Sequence, residues 1–169
     1  MRRTVRAAAV IIGAAVIATL AVSCDDDITG TTNRTYVANL NAAAEGGTVT
    51  SPGSGVVTFE DKGDVIEWEM TLTNITNVTQ SHIHRGTAAN VGTTAGPVMI
   101  NLFMPNRAPG AETGTLNGTV ARGTITNANN GTVSLDSLRV LFNNGNAYAN
   151  VYTVANPGGE VRDQIHPSN

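Results

Sequence analysis

The chain has few of the residues that usually carry catalysis or nucleic-acid binding. Its 169 residues include one cysteine, one tryptophan and three histidines, and aromatic residues make up only 4%. A single cysteine excludes an internal disulfide. Lys62 is the only lysine, and the sequence has no basic cluster of the kind that phosphate backbones require. We therefore expect no nucleic-acid partner.

The common catalytic signatures are also missing from the sequence. It contains no Gly-x-Ser-x-Gly elbow, no His-Glu-x-x-His helix, no Walker loop and no dinucleotide fingerprint. Carboxylates are plentiful, but their spacing nominates no pair for acid–base catalysis. We therefore expect a protein that is not an enzyme.

The N-terminus has the order of a secretory signal. An uncharged, largely apolar run of 16 residues, 7–22, follows a start that contains three arginines, and it leads to Ser23-Cys24. The run is shorter than the ~20 residues that a transmembrane helix needs, so a cleaved signal is favoured over a retained anchor helix. Residues 20–24, Leu-Ala-Val-Ser-Cys, resemble the lipobox of bacterial lipoproteins.

The lipobox resemblance implies that Cys24 becomes an acylated N-terminus, with a free thiol as the alternative. Stable anchoring needs two or more acyl chains, at about 0.8 kcal/mol per buried CH₂. We expect residues 1–23 to be a lipoprotein signal peptide and residues 24–34 a lipid-anchored flexible tether. The protein would then be an extracytoplasmic lipoprotein of the cell envelope, with the membrane as a partner. Cleavage would leave seven basic residues against 13 acidic ones, a net charge near −6.

The remainder, residues 35–166, is predicted to be one all-β domain. Between Asp64 and Leu72, apolar residues alternate with polar ones, as in a strand with one buried face. Asn144-Gly145 lies between two apolar runs and predicts a tight hairpin. The number of strands and the frequent turns favour a Greek-key antiparallel β-sandwich or barrel. The predicted strands are 35–40, 55–60, 64–72, 80–85, 97–103, 114–126, 138–143, 147–153 and 160–165.

Two motifs lie in the second half of the chain. The first is Ser-His-Ile-His-Arg-Gly at residues 81–86, and the second is Tyr-Ala-Asn-Val-Tyr-Thr at 148–153, followed by Asn-Pro-Gly-Gly-Glu-Val-Arg at 156–162. Together they resemble the CHRD domain, a family named after chordin. The resemblance covers about residues 35–165 and implies an extracellular β-rich domain. Family members usually carry histidine where this chain has Tyr152, and glycine where it has Asp163.

His82 and His84 are the strongest candidates for a metal site. They are separated by one residue on a predicted strand, so both side chains lie on one face, and imidazole suits both Cu and Zn. A catalytic metal site usually has three protein ligands. The family pattern points to Tyr152 as the third position, which is a poorer ligand, and His166 lies in the C-terminal tail. The alternative, which we favour, is that both histidines are structural and no cofactor is bound.

The segment around residues 157–162 is expected to have an architectural role. Gly158 and Gly159 allow a tight turn. Glu160 and Arg162 alternate onto one face, where we expect a charged pair that fixes strand register. Arg85 could meet one of the acidic residues.

These observations predict a tethered, non-enzymatic binding or structural module that contacts a protein or glycan. The alternative is an envelope metal-binding protein that uses His82 and His84 to hold Cu or Zn.

Overall fold

An antiparallel sheet forms the body of the molecule in the computed structural model, which describes residues 33–46, 49–88, 96–105, 112–129 and 133–168. The strands are β1 (Arg34–Asn41), β2 (Ser54–Asp61), β3 (Ile66–Thr76), β4 (Val78–Arg85), β5 (Val98–Phe103), β6 (Thr115–Ile125), β7 (Ala147–Thr153), β8 (Val161–Gln164) and β9 (His166–Pro167). Their order is β5-β4-β7-β8-β1-β2-β3-β6, with β9 beside β1. The edge strands β5 and β6 approach each other, so the sheet nearly closes into a barrel. The predicted all-β fold is confirmed.

The alternation of side chains decides which face of each strand lies inside the barrel. In β2, burial alternates residue by residue, and Val57 and Phe59 are fully buried. In β3, Ile66, Met70 and Leu72 are fully buried on the predicted face. Removing this apolar area from water is the main favourable contribution to folding.

The segment predicted as a strand at 138–143 is instead part of a helix, α1 (Leu135–Asn143), so this prediction is wrong. Leu135, Leu138 and Phe142 recur at helical spacing and are all buried. Ser134 caps the N-terminus, because its side chain accepts a hydrogen bond from the backbone N–H of Ser137. A six-residue segment with four apolar residues does not distinguish a helix from a strand by itself, and the cap and the helical spacing decide between them.

The hairpin predicted at Asn144-Gly145 is consequently wrong as well. These two residues end α1: the Asn144 N–H donates to the carbonyl of Val140, and Gly145 has a φ of +60°. Asparagine and glycine are common at both helix ends and hairpins because both tolerate left-handed backbone.

Helix α1 packs against the barrel through aromatic and ionic contacts. The Phe142 ring lies 5.1 Å from that of Tyr36 and 5.2 Å from that of Phe59, between ring centroids. On the same helix, the Arg139 Nε lies 2.7 Å from Oδ2 of Asp61 at the end of β2. Within the described part of the chain, no helix has the length and apolar character needed to cross a membrane. The predicted signal segment and all of the tether up to residue 32, including Cys24, lie outside the described residues.

Strand β7 is buried on both faces along its whole length. Of its odd-numbered residues, Ala147, Ala149 and Val151 belong to the barrel core, and Thr153 is a buried polar residue at the strand end. Its even-numbered residues face away from that core, and Asn150 lies beside Glu45 of the connection between β1 and β2, which contains a short 3₁₀ turn, Ala43–Glu45. This second buried face is where the two sequence motifs meet.

Candidate functional site in the outer polar layer

Polar side chains are buried on the outer face of β4, β7 and β8. Strand register places His82 opposite Asn150 and Asn150 opposite Arg162. Their neighbours in sequence, such as Ile83 and Ala149, point into the core, so these three point away from it. The buried polar and aromatic residues of this region are at most 9% exposed, and we call them the outer polar layer: Glu45, His82, His84, Tyr148, Asn150, Tyr152, Glu160 and Arg162.

Both ring nitrogens of His84 are hydrogen-bonded. Its Nδ1 lies 2.7 Å from the carbonyl oxygen of Gly96, and its Nε2 lies 2.7 Å from the hydroxyl oxygen of Tyr152. Because a carbonyl can only accept, Nδ1 carries the proton and Nε2 accepts from the Tyr152 hydroxyl. The Tyr148 ring stacks on His84 at 5.0 Å between centroids, and its hydroxyl accepts from the Gly96 N–H. His84 is therefore fixed in one tautomer and one orientation.

His82 and Asn150 carry buried polar atoms without hydrogen-bond partners. Nδ1 of His82 has no partner among the described residues. The Asn150 amide lies beside Glu45 and Tyr152 and opposes the rise that burial causes in the pKa of both groups, but it makes no hydrogen bond of full geometry to a described residue. Most buried polar groups in proteins are hydrogen-bonded, so such atoms call for an explanation such as a bound water or ion. The His82 ring lies 5.6 Å from the His84 ring and 5.4 Å from the Tyr152 ring, between centroids.

Arg162 ties the β1–β2 connection to the sheet. Its guanidinium donates to the carbonyl oxygens of Ala44 and Glu45, and its Nε lies 3.2 Å from the Glu45 carboxylate. Burial raises the pKa of Glu45, although the charge of Arg162 opposes the rise. The charged pair that we predicted between Glu160 and Arg162 is therefore wrong, since the partner of Arg162 is Glu45. Arg85 is exposed at the end of β4.

Glu160 has hydrogen-bond donors rather than a cation around it. Its carboxylate accepts from the hydroxyls of Ser51 and Thr153, at 2.7 and 2.5 Å, and from the Asn156 amide at 3.0 Å. Just before it, Gly159 has a φ of +124°, and a Cβ there would lie 2.4 Å from Oε1 of Glu45. Glycine at this position therefore allows both the turn and the close approach of the covering segment. Gly158 has open space around its Cα.

Burial favours the uncharged forms of His82, His84 and Tyr152. Burial, helped by the neighbouring His84, lowers the pKa of His82 to about 4. Burial also lowers the pKa of His84. Burial raises the pKa of Tyr152 to about 12. The pKa values of His82 and Tyr152 therefore lie well away from 7.

The third ligand expected for a metal site is not supplied by another histidine or by an acidic residue. Within the described ranges, no group of three or more His, Cys, Asp or Glu side chains could hold a metal ion. His166 lies exposed in β9. Tyr152, the position that the family pattern indicated, does lie beside the histidine pair, with its hydroxyl on His84.

The comparison with protein families shows which family the chain belongs to. A family model described as "CHRD domain" matches residues 36–165. The chain belongs to the CHRD domain family. Neither the comparison with curated proteins nor the comparison with solved structures gave a match.

Within this CHRD domain, the two sequence motifs form one structural unit. The first motif supplies His82 and His84 from β4, and the second supplies Tyr152 and Arg162 from β7 and β8. Sequence reasoning missed Glu45, which lies 117 residues before Arg162 and outside both motifs. It also passed over Asn150 and Tyr148, although both belong to the second motif. The even spacing of 148, 150 and 152 was the available signal, because it puts all three on one face of β7.

Proposed function

We propose that this CHRD-domain chain is a lipid-anchored, extracytoplasmic module with a non-enzymatic binding or structural role. Cys24, at the end of the lipobox-like segment, would carry the anchor. The domain would then be held at the membrane surface of the cell envelope by the tether that precedes β1.

The proposal rests on one observation: the residues of the outer polar layer are buried and make their hydrogen bonds within the domain. Its best candidates for acid–base chemistry are His84 and Tyr152, which hydrogen-bond each other, and Glu160, which accepts three hydrogen bonds. General acid–base catalysis works best with a pKa near the operating pH, whereas the pKa of Tyr152 is raised to about 12 and that of His82 is lowered to about 4. These groups are therefore not tuned for acid–base catalysis, and contact with a macromolecular partner falls to the exposed strand faces.

The exposed face of β2 and β3 offers one such surface. Glu60, Glu67 and Glu69 lie on it beside Arg122, and with the edge of Trp68 they line a shallow groove. Glu60 and Glu67 are directly opposite in the strand register, while Lys62 pairs with Glu60 and Arg122 pairs with Glu69. Three carboxylates therefore face two cations, and the remaining negative charge favours a partner with positive charge. A basic segment of an envelope protein fits this surface best.

Lipid labelling tests the anchor. The full chain and its Cys24→Ala variant would be expressed in a bacterial host with an alkyne-bearing fatty acid, and membranes would be separated from soluble fractions. We expect label and membrane association in the native chain, and loss of both in the variant. Membrane association of an unlabelled native chain would contradict the proposal.

Charge reversal tests the binding surface. A fluorescent arginine-rich peptide would be titrated into the full chain, its Glu67→Lys variant, and Asp64→Lys, an exposed position that makes the same charge change outside the groove. We expect salt-sensitive binding that Glu67→Lys weakens more than Asp64→Lys. Equal effects of the two variants would leave only non-specific attraction and would count against the surface.

Metal binding is the second candidate function, and one observation favours it. The buried Nδ1 of His82 has no partner among the described residues, and its ring lies 5.6 Å from that of His84. Two histidines supply one ligand fewer than a catalytic metal site usually has. A metal-binding role therefore depends on donors of another kind nearby.

A further inference from the structure

We propose that His82, His84 and Tyr152 hold one divalent transition-metal ion, with the Asn150 amide oxygen as a fourth donor. The inference rests on the second candidate function, metal binding, and is independent of lipid anchoring. The proposal adds two oxygen donors, from Tyr152 and Asn150, to the two histidine ligands.

The three rings lie close together. The distances between ring centroids are 5.6 Å for His82 and His84, 5.4 Å for His82 and Tyr152, and 6.1 Å for His84 and Tyr152. The rings therefore form a triangle with nearly equal sides. Side chains at this separation are close enough for one donor atom of each to lie about 2 Å from a shared ion.

Two of the donor atoms are already adjacent. Nε2 of His84 and the hydroxyl oxygen of Tyr152 lie 2.7 Å apart, with the hydroxyl proton between them. The metal would take the place of that proton. The O–H bond of Tyr152 breaks, bonds form from the phenolate oxygen and the imidazole nitrogen to the ion, and one proton leaves to solvent. No electron is transferred.

The opposite side of His84 has the contact that metal-bound histidines usually have. Its Nδ1–H donates to the carbonyl oxygen of Gly96 at 2.7 Å. This type of bond fixes the tautomer and aims the other nitrogen at the metal. Its presence means that the Nε2 lone pair of His84 is presented without rearrangement of the ring.

The unpartnered atoms of the layer supply the remaining donors. His82 is 8% exposed and Asn150 is fully buried, and they lie directly opposite each other on β4 and β7. Nδ1 of His82 has no partner among the described residues, and Oδ1 of Asn150 makes no hydrogen bond of full geometry there, although the Asn150 amide lies beside Glu45 and Tyr152. An ion at the centre of the triangle would give both a partner, which removes the cost of leaving them buried and unsatisfied.

The charges around the site tolerate an ion. Arg162 lies behind Tyr148, with its Cζ 5.7 Å from that ring centroid. Its charge is paired with the Glu45 carboxylate, although it still adds to the effect of burial in lowering the pKa of His84. Loss of the Tyr152 proton would leave a phenolate, whose negative charge would partly neutralise a divalent ion. Imidazole nitrogens combined with oxygen donors suit Cu²⁺, which also stands highest in the order of divalent affinities.

Copper titration of the full chain tests the proposal. The chain would carry Cys24→Ser so that no thiol competes, be kept in detergent, and be titrated with Cu²⁺ while visible absorption and heat are recorded. We expect one ion per chain, a phenolate-to-copper charge-transfer band, and release of one proton per ion. Tyr152→Phe should remove the band and weaken binding by at least about tenfold, the loss that even an outer-shell change can cause.

Matched variants separate the site from other histidines and tyrosines. Tyr36→Phe removes a hydroxyl buried in the barrel core, and His166→Ala removes an exposed imidazole. Both should keep the band and the stoichiometry, and the thermal unfolding of each variant would show that it is folded. A band that survives Tyr152→Phe would overturn the proposal while leaving a metal role for the histidine pair. Absence of stoichiometric binding by the folded native chain would overturn both.

Discussion

Glu160 is 7% exposed and joins three separate segments through the hydrogen bonds that it accepts from Ser51, Thr153 and Asn156. Burial alone would raise the pKa of Glu160, but these bonds outweigh burial and lower it. A carboxyl whose pKa is lower in the folded state stabilises the fold above its unfolded pKa. That contribution is lost as the pH falls through the folded pKa.

Glu160→Gln should therefore destabilise the domain in a pH-dependent way. We expect the free energy of unfolding to fall by about 1–3 kcal/mol at neutral pH, because buried donors lose a charged acceptor. The difference between native chain and variant should shrink as the pH is lowered below the ordinary carboxyl range. Urea denaturation followed by circular dichroism at about pH 7 and about pH 3 would measure it.

Glu67→Gln is the matched control, since Glu67 is an exposed carboxylate on β3. It should change the free energy of unfolding by no more than about 0.5 kcal/mol. If Glu160→Gln were equally harmless, the three hydrogen bonds would contribute nothing to stability.

At the scale of single residues, part of the site could be predicted from the sequence. His82, His84 and Tyr152 could be chosen because they lie in short motifs with strand spacing. Glu45 could not, because its burial and its contact with Arg162 arise only when the β1–β2 connection folds over β8, 117 residues away in sequence. The wrong pairing of Arg162 with Glu160 followed from judging partners by proximity along one strand.

Among the elements, the strands were predictable where one face is buried and the other exposed, as in β3. Helix α1 was not, because residues 138–143 form a short, mainly apolar segment. They are followed by Asn144-Gly145, which fits a hairpin as well as a helix end. Strand β7 was found, but its second buried face was not. A strand whose polar residues are covered by a distant segment has the same pattern as one whose polar residues face water.

Helix α1 is held to the barrel by Arg139, which makes a testable ionic contact. Its Nε and Nη2 donate to the two carboxylate oxygens of Asp61, at 2.7 and 2.8 Å, and Asp61 is 6% exposed. Burial opposes ionisation of Asp61, but the bonds to Arg139 and Gly63 outweigh it and lower the pKa. Arg139→Met should cost about 1.5–3 kcal/mol at neutral pH, because it leaves this carboxylate short of a partner.

The loss caused by Arg139→Met should shrink in acid, where Asp61 becomes protonated in both chains. Arg122→Met is the control, since Arg122 is 73% exposed and its Glu69 contact is 3.5 Å long. Surface pairs of this kind contribute about 0–1 kcal/mol. Equal losses in the two variants, measured by urea denaturation, would show that α1 does not depend on the Asp61 contact.

On the scale of the whole molecule, the barrel core and the outer polar layer share strands. Ile83, Ala149 and Val161 face the core, and the residues next to them in β4, β7 and β8 face the layer. Opening the layer would expose buried polar groups on strands that still hold the core. Two faces of one strand cannot leave the folded state separately, so the layer and the barrel should unfold as one cooperative unit.

Arg162→Met tests this cooperativity. The variant leaves the Glu45 carboxylate buried without its ion pair, and breaking a buried pair in this way typically costs about 3–5 kcal/mol. If the molecule is one unit, hydrogen exchange under native conditions should speed up equally for amides of β7 and for amides of β2, on the far side of the barrel. Arg85→Met, at an exposed position of the first motif, should leave both unchanged. Faster exchange confined to β7, β8 and the β1–β2 connection would instead mean that the layer opens on its own, and the buried motif residues would then be reachable by a ligand without unfolding the barrel.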